Sequence, residues 1–265
     1  MKNKVIIITG ASSGIGKALA FRLAENENKL VLAARNLEKL NAIAEQIKAK
    51  NIAVLSVATD VSISEDCKNL IDKCMEEFGR IDILINNAGI SMRALFNETN
   101  LIVIEQVINT NFWGTVFCTK YALPYLLQSK GSLVGVSSIA GHIGLPERSA
   151  YSASKFAMHG FLESVRSENM DNNLHVLIAC PGFTASNIRK SALTKDGSTQ
   201  NESPRNEQKM MSVELVARKI VCAIKCRKDD VTLSANGILA VWLNRFFPKI
   251  ARRLVFNHFK KEKRL

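Results

Sequence analysis

Residues 4–16 read Lys4-Val5-Ile6-Ile7-Ile8-Thr9-Gly10-Ala11-Ser12-Ser13-Gly14-Ile15-Gly16, and helical patterning follows through Ala18, Leu19, Phe21, Leu23 and Ala24. A short β-branched run suits a strand buried on both faces. Strand, glycine turn and helix in that order are the conditions under which a glycine motif signals dinucleotide binding. The spacing is G-x-x-x-G-x-G rather than G-x-G-x-x-G. The physics survives the change, because glycines let the backbone approach a pyrophosphate closely and a helix N-terminus offers free N–H groups. A glycine-rich turn without a ligand is the bland alternative.

Outward from this turn, strands and helices alternate. Lys29–Ala34 reads as a second strand ending at Arg35-Asn36, with a helix to about Lys50. In such folds an acid at this strand end accepts from the adenosine ribose 2′-OH and selects NAD. Arg35 stands here instead, and a guanidinium can pair bidentately with a 2′-phosphate. NADP(H) is therefore favoured over NAD(H). Ile52–Val57 gives a third strand with Thr59-Asp60-Val61 at its end; Asp60 can accept from an adenine amino group or cap the next helix. A helix over Ser64–Phe78 and a strand over Ile81–Ile85 lead to Asn86-Asn87-Ala88-Gly89. Helical patterning runs from Leu101 to Ser129 and contains Asn111, an amide that destabilises an apolar helix unless it finds partners.

Ser132–Val136 delivers Ser137 and Ser138 at a strand's carboxyl end, the side on which open α/β sheets bind ligands. A helix from Ser149 carries Tyr151 and Lys155, four apart and so on one face. An ammonium beside a phenol is expected to pull the tyrosine below its usual value of about 10. A surface helix pair is the plain alternative. Strand Leu174–Cys180 ends in Pro181-Gly182-Phe183-Thr184-Ala185-Ser186; residues 186–211 turn polar and read as a mobile loop over the site. A helix over Ser212–Arg227 and a strand over Val231–Ser234 complete the alternation. No repeat or linker interrupts it, so residues 1–235 read as one α/β domain.

Composition bounds the rest. A 265-residue chain with 47% hydrophobic residues can bury a large core. The apolar run after Met1 is too short for a signal peptide, and no stretch approaches the roughly 18 apolar residues a spanning helix needs. The six cysteines include no C-x-x-C pair, which fits a reduced cytoplasmic compartment. Cys222 and Cys226, one helical turn apart, read as buried or half-buried thiols rather than a metal site. The four histidines lack metal-ligand spacing, and no metal is expected. Of the net charge of +12, residues 245–264 supply eight basic groups against one acid. No nucleic-acid motif accompanies them. In 236–265, Trp242, Leu243, Phe246, Phe247, Ile250 and Leu254 roughly follow helical spacing between basic residues, with Pro248 interrupting. Such an extension can lie on an anionic membrane as a peripheral contact, cover the substrate cleft or pack on a partner.

Taken together, Thr9-Gly10-x-x-x-Gly14-Ile15-Gly16, Asn86-Asn87-Ala88-Gly89, Asn111, Ser138 and Tyr151-x-x-x-Lys155 resemble the short-chain dehydrogenase/reductase family over about residues 4–235. The thirteen residues from Ser138 to Tyr151 also fit. The resemblance implies a single doubly wound Rossmann domain with a mostly parallel seven-stranded sheet and helices on both faces. It implies Tyr151 as general acid or base, Lys155 as its electrostatic support, Ser138 as donor to the substrate oxygen, and Asn111 as holder of a water joining Lys155 to solvent. Cofactor contacts are implied at Thr9, Gly10, Ser12, Ser13, Gly14, Ile15, Gly16, Arg35, Asp60, Val61, Asn87, Ala88, Gly89, Tyr151, Lys155, Pro181, Gly182, Thr184 and Ser186. Ser186 departs from the family's threonine but keeps the hydroxyl.

Residues 87–93 and 137–141 are similar to hydroxysteroid-dehydrogenase-like reductases, which implies NADP(H), a lipophilic ketone or aldehyde, and a homodimer or homotetramer. The alternatives are a 3-oxoacyl-thioester or 3-keto-lipid reductase and, more distantly, a non-catalytic NADP(H) sensor. Substrate choice is expected to lie with Arg93, Ala94, the side chains between Gly141 and Ala150 (His142 and Glu147 among them), the 186–211 loop and the tail.

Overall fold

In a computed structural model the described residues are 1–202 and 210–262. Positions 203–209 of the polar loop and 263–265 of the tail lie outside them. The strands are β1 (Val5–Thr9), β2 (Lys29–Ala34), β3 (Val54–Ala58), β4 (Ile83–Asn86), β5 (Ser132–Val136), β6 (His175–Cys180) and β7 (Asp230–Thr232). They form one sheet in the order β3-β2-β1-β4-β5-β6-β7, and every pairing is parallel. Sheet order reverses between β1 and β4, which opens a crevice at their carboxyl ends.

The helices are α1 (Gly14–Leu23), α2 (Leu37–Lys48), α3 (Ser64–Phe78), α4 (Leu101–Ile108), α5 (Gly114–Gln128), α6 (Ser149–Glu168), α7 (Val213–Lys225), α8 (Ala235–Phe246) and α9 (Pro248–Glu262). Alternation along β1 sends Ile6 and Ile8 to one side of the sheet, where they meet α1, α2 and α7. Val5 and Ile7 go to the other side, against α3, α5 and α6. Two apolar layers around a sheet buried on both faces explain why the β1 run is apolar throughout. At the amino ends, buried Asp82 accepts from the Val5 N–H (3.0 Å), from Lys4 (2.9 Å) and from Arg80 (2.6 Å), pinning β1 beside β4.

Three expectations change in detail. The helix expected over 101–129 is two helices joined by a π-helical stretch, Asn109–Trp113, centred on Asn111. Cys222 and Cys226 face solvent instead of the interior, because α7 buries Val216, Ala217, Ile220, Val221, Ala223 and Ile224 on its opposite face. Pro248 does not merely interrupt the tail: it opens α9 at the first helical position, where its missing N–H is harmless. The described part of the polar loop lies down on the domain. Leu193 donates to Ser91 and accepts from Arg93, and Asn100 donates to Lys195. Among the described residues, no helix is long and apolar enough to cross a membrane.

Candidate active site

The glycine turn sits at the sheet's switch point. Gly10 (φ +65°) and Gly14 (φ +53°) occupy the left-handed region, and a Cβ on Gly16 would overlap the Gly10 carbonyl oxygen. Ser13 precedes α1 without making a capping bond, so the helix's first N–H groups remain available to an anion. This cradle fits a dinucleotide pyrophosphate. Thr9 and Asn87, expected among the cofactor contacts, serve the turn itself. The Thr9 hydroxyl accepts from the N–H groups of Asn87 and Ala88, both at 3.0 Å, and is buried. Asn87 Nδ2 donates to the Thr9 carbonyl (2.9 Å) and to that of Gly10 (3.3 Å). Ala88 is in backbone contact range of Gly10, so the two strand ends form one floor.

Arg35 is exposed at the end of β2 and makes no hydrogen bond or ion pair among the described residues. Asn36 beside it caps α2 by accepting from Lys39 N–H at 2.8 Å. Asp60 does not cap α3; its Oδ1 accepts from the Ser62 N–H (3.0 Å) and hydroxyl (2.7 Å) in a tight turn. Val61 points its side chain into the interior against Gly114, leaving only its backbone for a ligand.

Tyr151, Lys155 and Ser138 come together from α6 and the end of β5. The Ser138 hydroxyl lies beside the phenol of Tyr151 and accepts from Ala140 N–H at 3.2 Å. Lys155, only 3% exposed, donates to the Val136 carbonyl at 3.0 Å. Its Nζ lies 5.9 Å from the centre of the Tyr151 ring. Burial pulls the Lys155 ammonium down to about 8. The expected depression of Tyr151 is absent. Burial is the largest influence and holds the phenol above its ordinary value, against the opposing influence of the Ser138 hydroxyl and the Arg148 charge. The Lys155 ammonium, held by Val136 with its Nζ 5.9 Å from the ring centre, is too weak an influence to reverse the effect of burial.

Asn111 is fully buried. Its Oδ1 accepts from Ile90 N–H (2.8 Å), and its Nδ2 donates to the Ile90 carbonyl and to Ser154 Oγ, both at 2.9 Å. The polar cost of placing an amide there is thus met in full, and the side chain fixes the backbone after Gly89. Its main-chain carbonyl accepts from Thr115 Oγ1 at 2.9 Å. Both amide N–H groups of Asn111 are therefore in use, so what it can offer a water beside Lys155 is an acceptor oxygen. Ser154, the residue immediately before Lys155, stands out in Tyr151-Ser152-Ala153-Ser154-Lys155 only as a small polar residue.

On the substrate side, Gly182 packs against Ser234, and Ile139 N–H donates to Pro181 at 3.3 Å. Thr184 donates to Gly182 at 3.1 Å and accepts from Arg189. Ser186 lies over Gly14, about where a group bridging the glycine turn and this segment would sit. Arg93 and Glu147, both expected near substrate, form an ion pair at 2.9 Å. The tail docks here too. Asn244 donates to the His142 carbonyl at 2.9 Å, His258 lies against Phe183, and Ala251 is buried. A cavity of about 420 Å³ opens between α9 and residues 144–152, lined by Gly144, Leu145, Pro146, Ser149, Ser152, Arg252, Val255 and Phe256.

Comparison with known proteins agrees with this geometry. The family model for short chain dehydrogenases matches residues 4–197. An Arabidopsis thaliana protein named 11-beta-hydroxysteroid dehydrogenase 1A is 38% identical over 239 residues, covering 89% of this chain and 65% of that protein. The Bos taurus dehydrogenase/reductase SDR family member 7B is 33% identical over 272 residues, covering 100% of this chain and 84% of that protein. The crystal structure of a short-chain dehydrogenase/reductase from Burkholderia phymatum in complex with NAD superposes with a TM-score of 0.83 at 24% identity, covering 94% of this chain and 95% of that one, and shows the same fold. With the glycine cradle and the Ser138–Tyr151–Lys155 cluster, these matches mean that the chain belongs to the short-chain dehydrogenase/reductase family, as an oxidoreductase acting on CH–OH groups with a nicotinamide cofactor and resembling its hydroxysteroid-dehydrogenase-like members.

Proposed function

We propose that this enzyme uses NADPH to reduce a lipophilic ketone or aldehyde and works at an anionic membrane surface. The observation that carries this reading is the outer face of the tail. Trp242 is 49% exposed and Phe246 58%, with Leu239, Phe247, Ile250 and Leu254 exposed alongside. Arg245, Lys249, Arg252 and Arg253 interleave with them. A cluster of exposed large apolar side chains such as this suits an interaction surface. Its basic border suits anionic lipid, and its inner side docks beside Tyr151's helix. A substrate partitioned in the bilayer would then meet the cavity between α9 and residues 144–152. The hydroxysteroid name of the Arabidopsis relative supports a lipophilic substrate.

Arg35 supports the choice of NADPH, since an exposed guanidinium without an acid neighbour at the end of β2 suits a 2′-phosphate. The bound cofactor supplies a hydride to the carbonyl carbon. The chain's own residues do the rest. Tyr151, whose phenol burial holds above its ordinary value, gives its proton to the carbonyl oxygen. Ser138 donates to that same oxygen as negative charge develops there.

Arg35→Ala is expected to raise the KM for NADPH at least about tenfold, in line with losing one charge-assisted pair, and to leave the KM for NADH nearly unchanged. A wild-type preference for NADH would overturn the cofactor assignment. For the membrane, the full chain is expected to co-sediment with vesicles containing phosphatidylserine and much less with neutral ones. Trp242→Ser/Phe246→Ser should weaken that binding about tenfold or more. Equal recovery of both proteins with the vesicles would remove the membrane reading.

A further inference from the structure

Behind the catalytic cluster, three side chains converge that the reaction does not use. His142 follows the 3₁₀ turn Ile139–Gly141, His159 sits in α6 one turn beyond Lys155, and Cys180 ends β6. Their ligand atoms all lie within 4.8 Å of one another. Cys180 Sγ is 3.4 Å from His142 Nε2 and 3.6 Å from His159 Nε2. In a tetrahedral zinc site, Zn–S of about 2.3 Å and Zn–N of about 2.0–2.1 Å place sulfur and nitrogen roughly 3.6 Å apart. Both sulfur–nitrogen edges therefore already have the separation a shared metal would impose. The two rings meet edge to face, with centroids 4.6 Å apart. The cluster is also closely walled: a Cβ on Gly141 would fall 2.6 Å from His159 Nε2.

We propose that His142 Nε2, His159 Nε2 and Cys180 Sγ bind one Zn²⁺ or similar borderline-soft divalent ion, with water as fourth ligand. His159 and Cys180 are buried, whereas His142 is half-buried, so the entry side and the water position lie at His142. Burial keeps both imidazoles neutral near pH 7, the form that ligates. Cys180 is a thiol there, and binding exchanges its proton for the metal. Ser137 Oγ, 2.7 Å from His159 Nε2, gives up that hydrogen bond when the metal takes the nitrogen lone pair.

The ligands belong to the segments that carry Ser138, Tyr151 with Lys155, and Pro181-Gly182. A bound ion would clamp these three together from behind and place net positive charge on the far side of Lys155. Sequence spacing conceals the site, because its residues come from three separate elements and form no short ligand motif.

The test is titration of the chelator-treated full chain with Co²⁺. The expected result is one Co²⁺ per chain with a thiolate-to-cobalt charge-transfer band, displaced by Zn²⁺. The band should vanish in Cys180→Ser and persist in Cys222→Ser/Cys226→Ser, which removes the exposed thiols. His142→Gln, at the solvent side, should weaken Co²⁺ affinity about tenfold or more and serves if Cys180→Ser folds poorly. The proposal is overturned by absence of the band in the wild-type chain, by its loss with the exposed pair, or by unchanged affinity in His142→Gln.

Discussion

Tyr151→Phe is expected to lower kcat for carbonyl reduction by about 10²–10⁴-fold, the range for removing a positioned general acid. The substitution deletes one oxygen and keeps the ring. Tyr151 packs against the cluster of Met92, Ala94, Val103, Val107 and Ala150, and phenylalanine retains that contact. What disappears is the phenolic hydroxyl beside Ser138 and the proton it holds for the substrate oxygen. Folding stability should fall by only about 1 kcal/mol, the net worth of a typical hydrogen bond. Thermal melting, cofactor titration and steady-state turnover, measured together, separate chemistry from folding. Near-normal turnover with NADPH and an accepted carbonyl would sink the assignment of Tyr151 as the acid.

The fold was legible because its signals are local. A strand buried on both faces is apolar along most of its length, so β1, β2, β5 and β6 announce themselves by runs such as Val5–Ile8, Leu30–Ala34 and Val176–Ala179, and the glycine turn marks where β1 meets α1. The site was legible as far as its residues recur at fixed spacings. Sequence also separated Ser138 from Ser137, and the structure gives the reason: the first faces Tyr151, while the second faces His159. What could not be read is what depends on distant partners. Arg93 and Glu147 pair across 54 residues, and Asn111 spends its amide on Ile90 and Ser154. Thr9 and Asn87 carry the family's pattern but work beneath the turn, because β1 and β4 are neighbours in space and far apart in sequence. The sign of the Tyr151 shift was missed for a related reason. Spacing shows that Lys155 is near the phenol, but not how much water both groups have lost.

That lost hydration leads to the second large effect, Lys155→Met. Turnover should fall by about 10²-fold or more, since a preorganised charge beside the reacting oxygen is removed. The stability consequence runs the other way. The buried ammonium has its pKa pulled from an ordinary 10.5 to about 8, so the native state binds this proton less tightly than the unfolded chain. Below pH 8 both states hold it, and the native state bears the full penalty. Between pH 8 and 10.5 the unfolded chain keeps the proton while the native protein releases it, so stability rises with pH; above 10.5 the penalty is gone. The shift corresponds to roughly 3 kcal/mol. Other groups titrate in this window, so the readout is the difference between wild type and Lys155→Met, both kept metal-free by chelator. Loss of the Val136 contact (3.0 Å) adds an offset to the variant that does not change with pH. Urea denaturation at intervals from pH 7 to 10.5 should show wild type gaining on the variant as pH rises. Parallel curves would mean that Lys155 is not held charged against its burial. The gain expected here is the stability that this fold gives up to keep a cation beside Tyr151 at neutral pH.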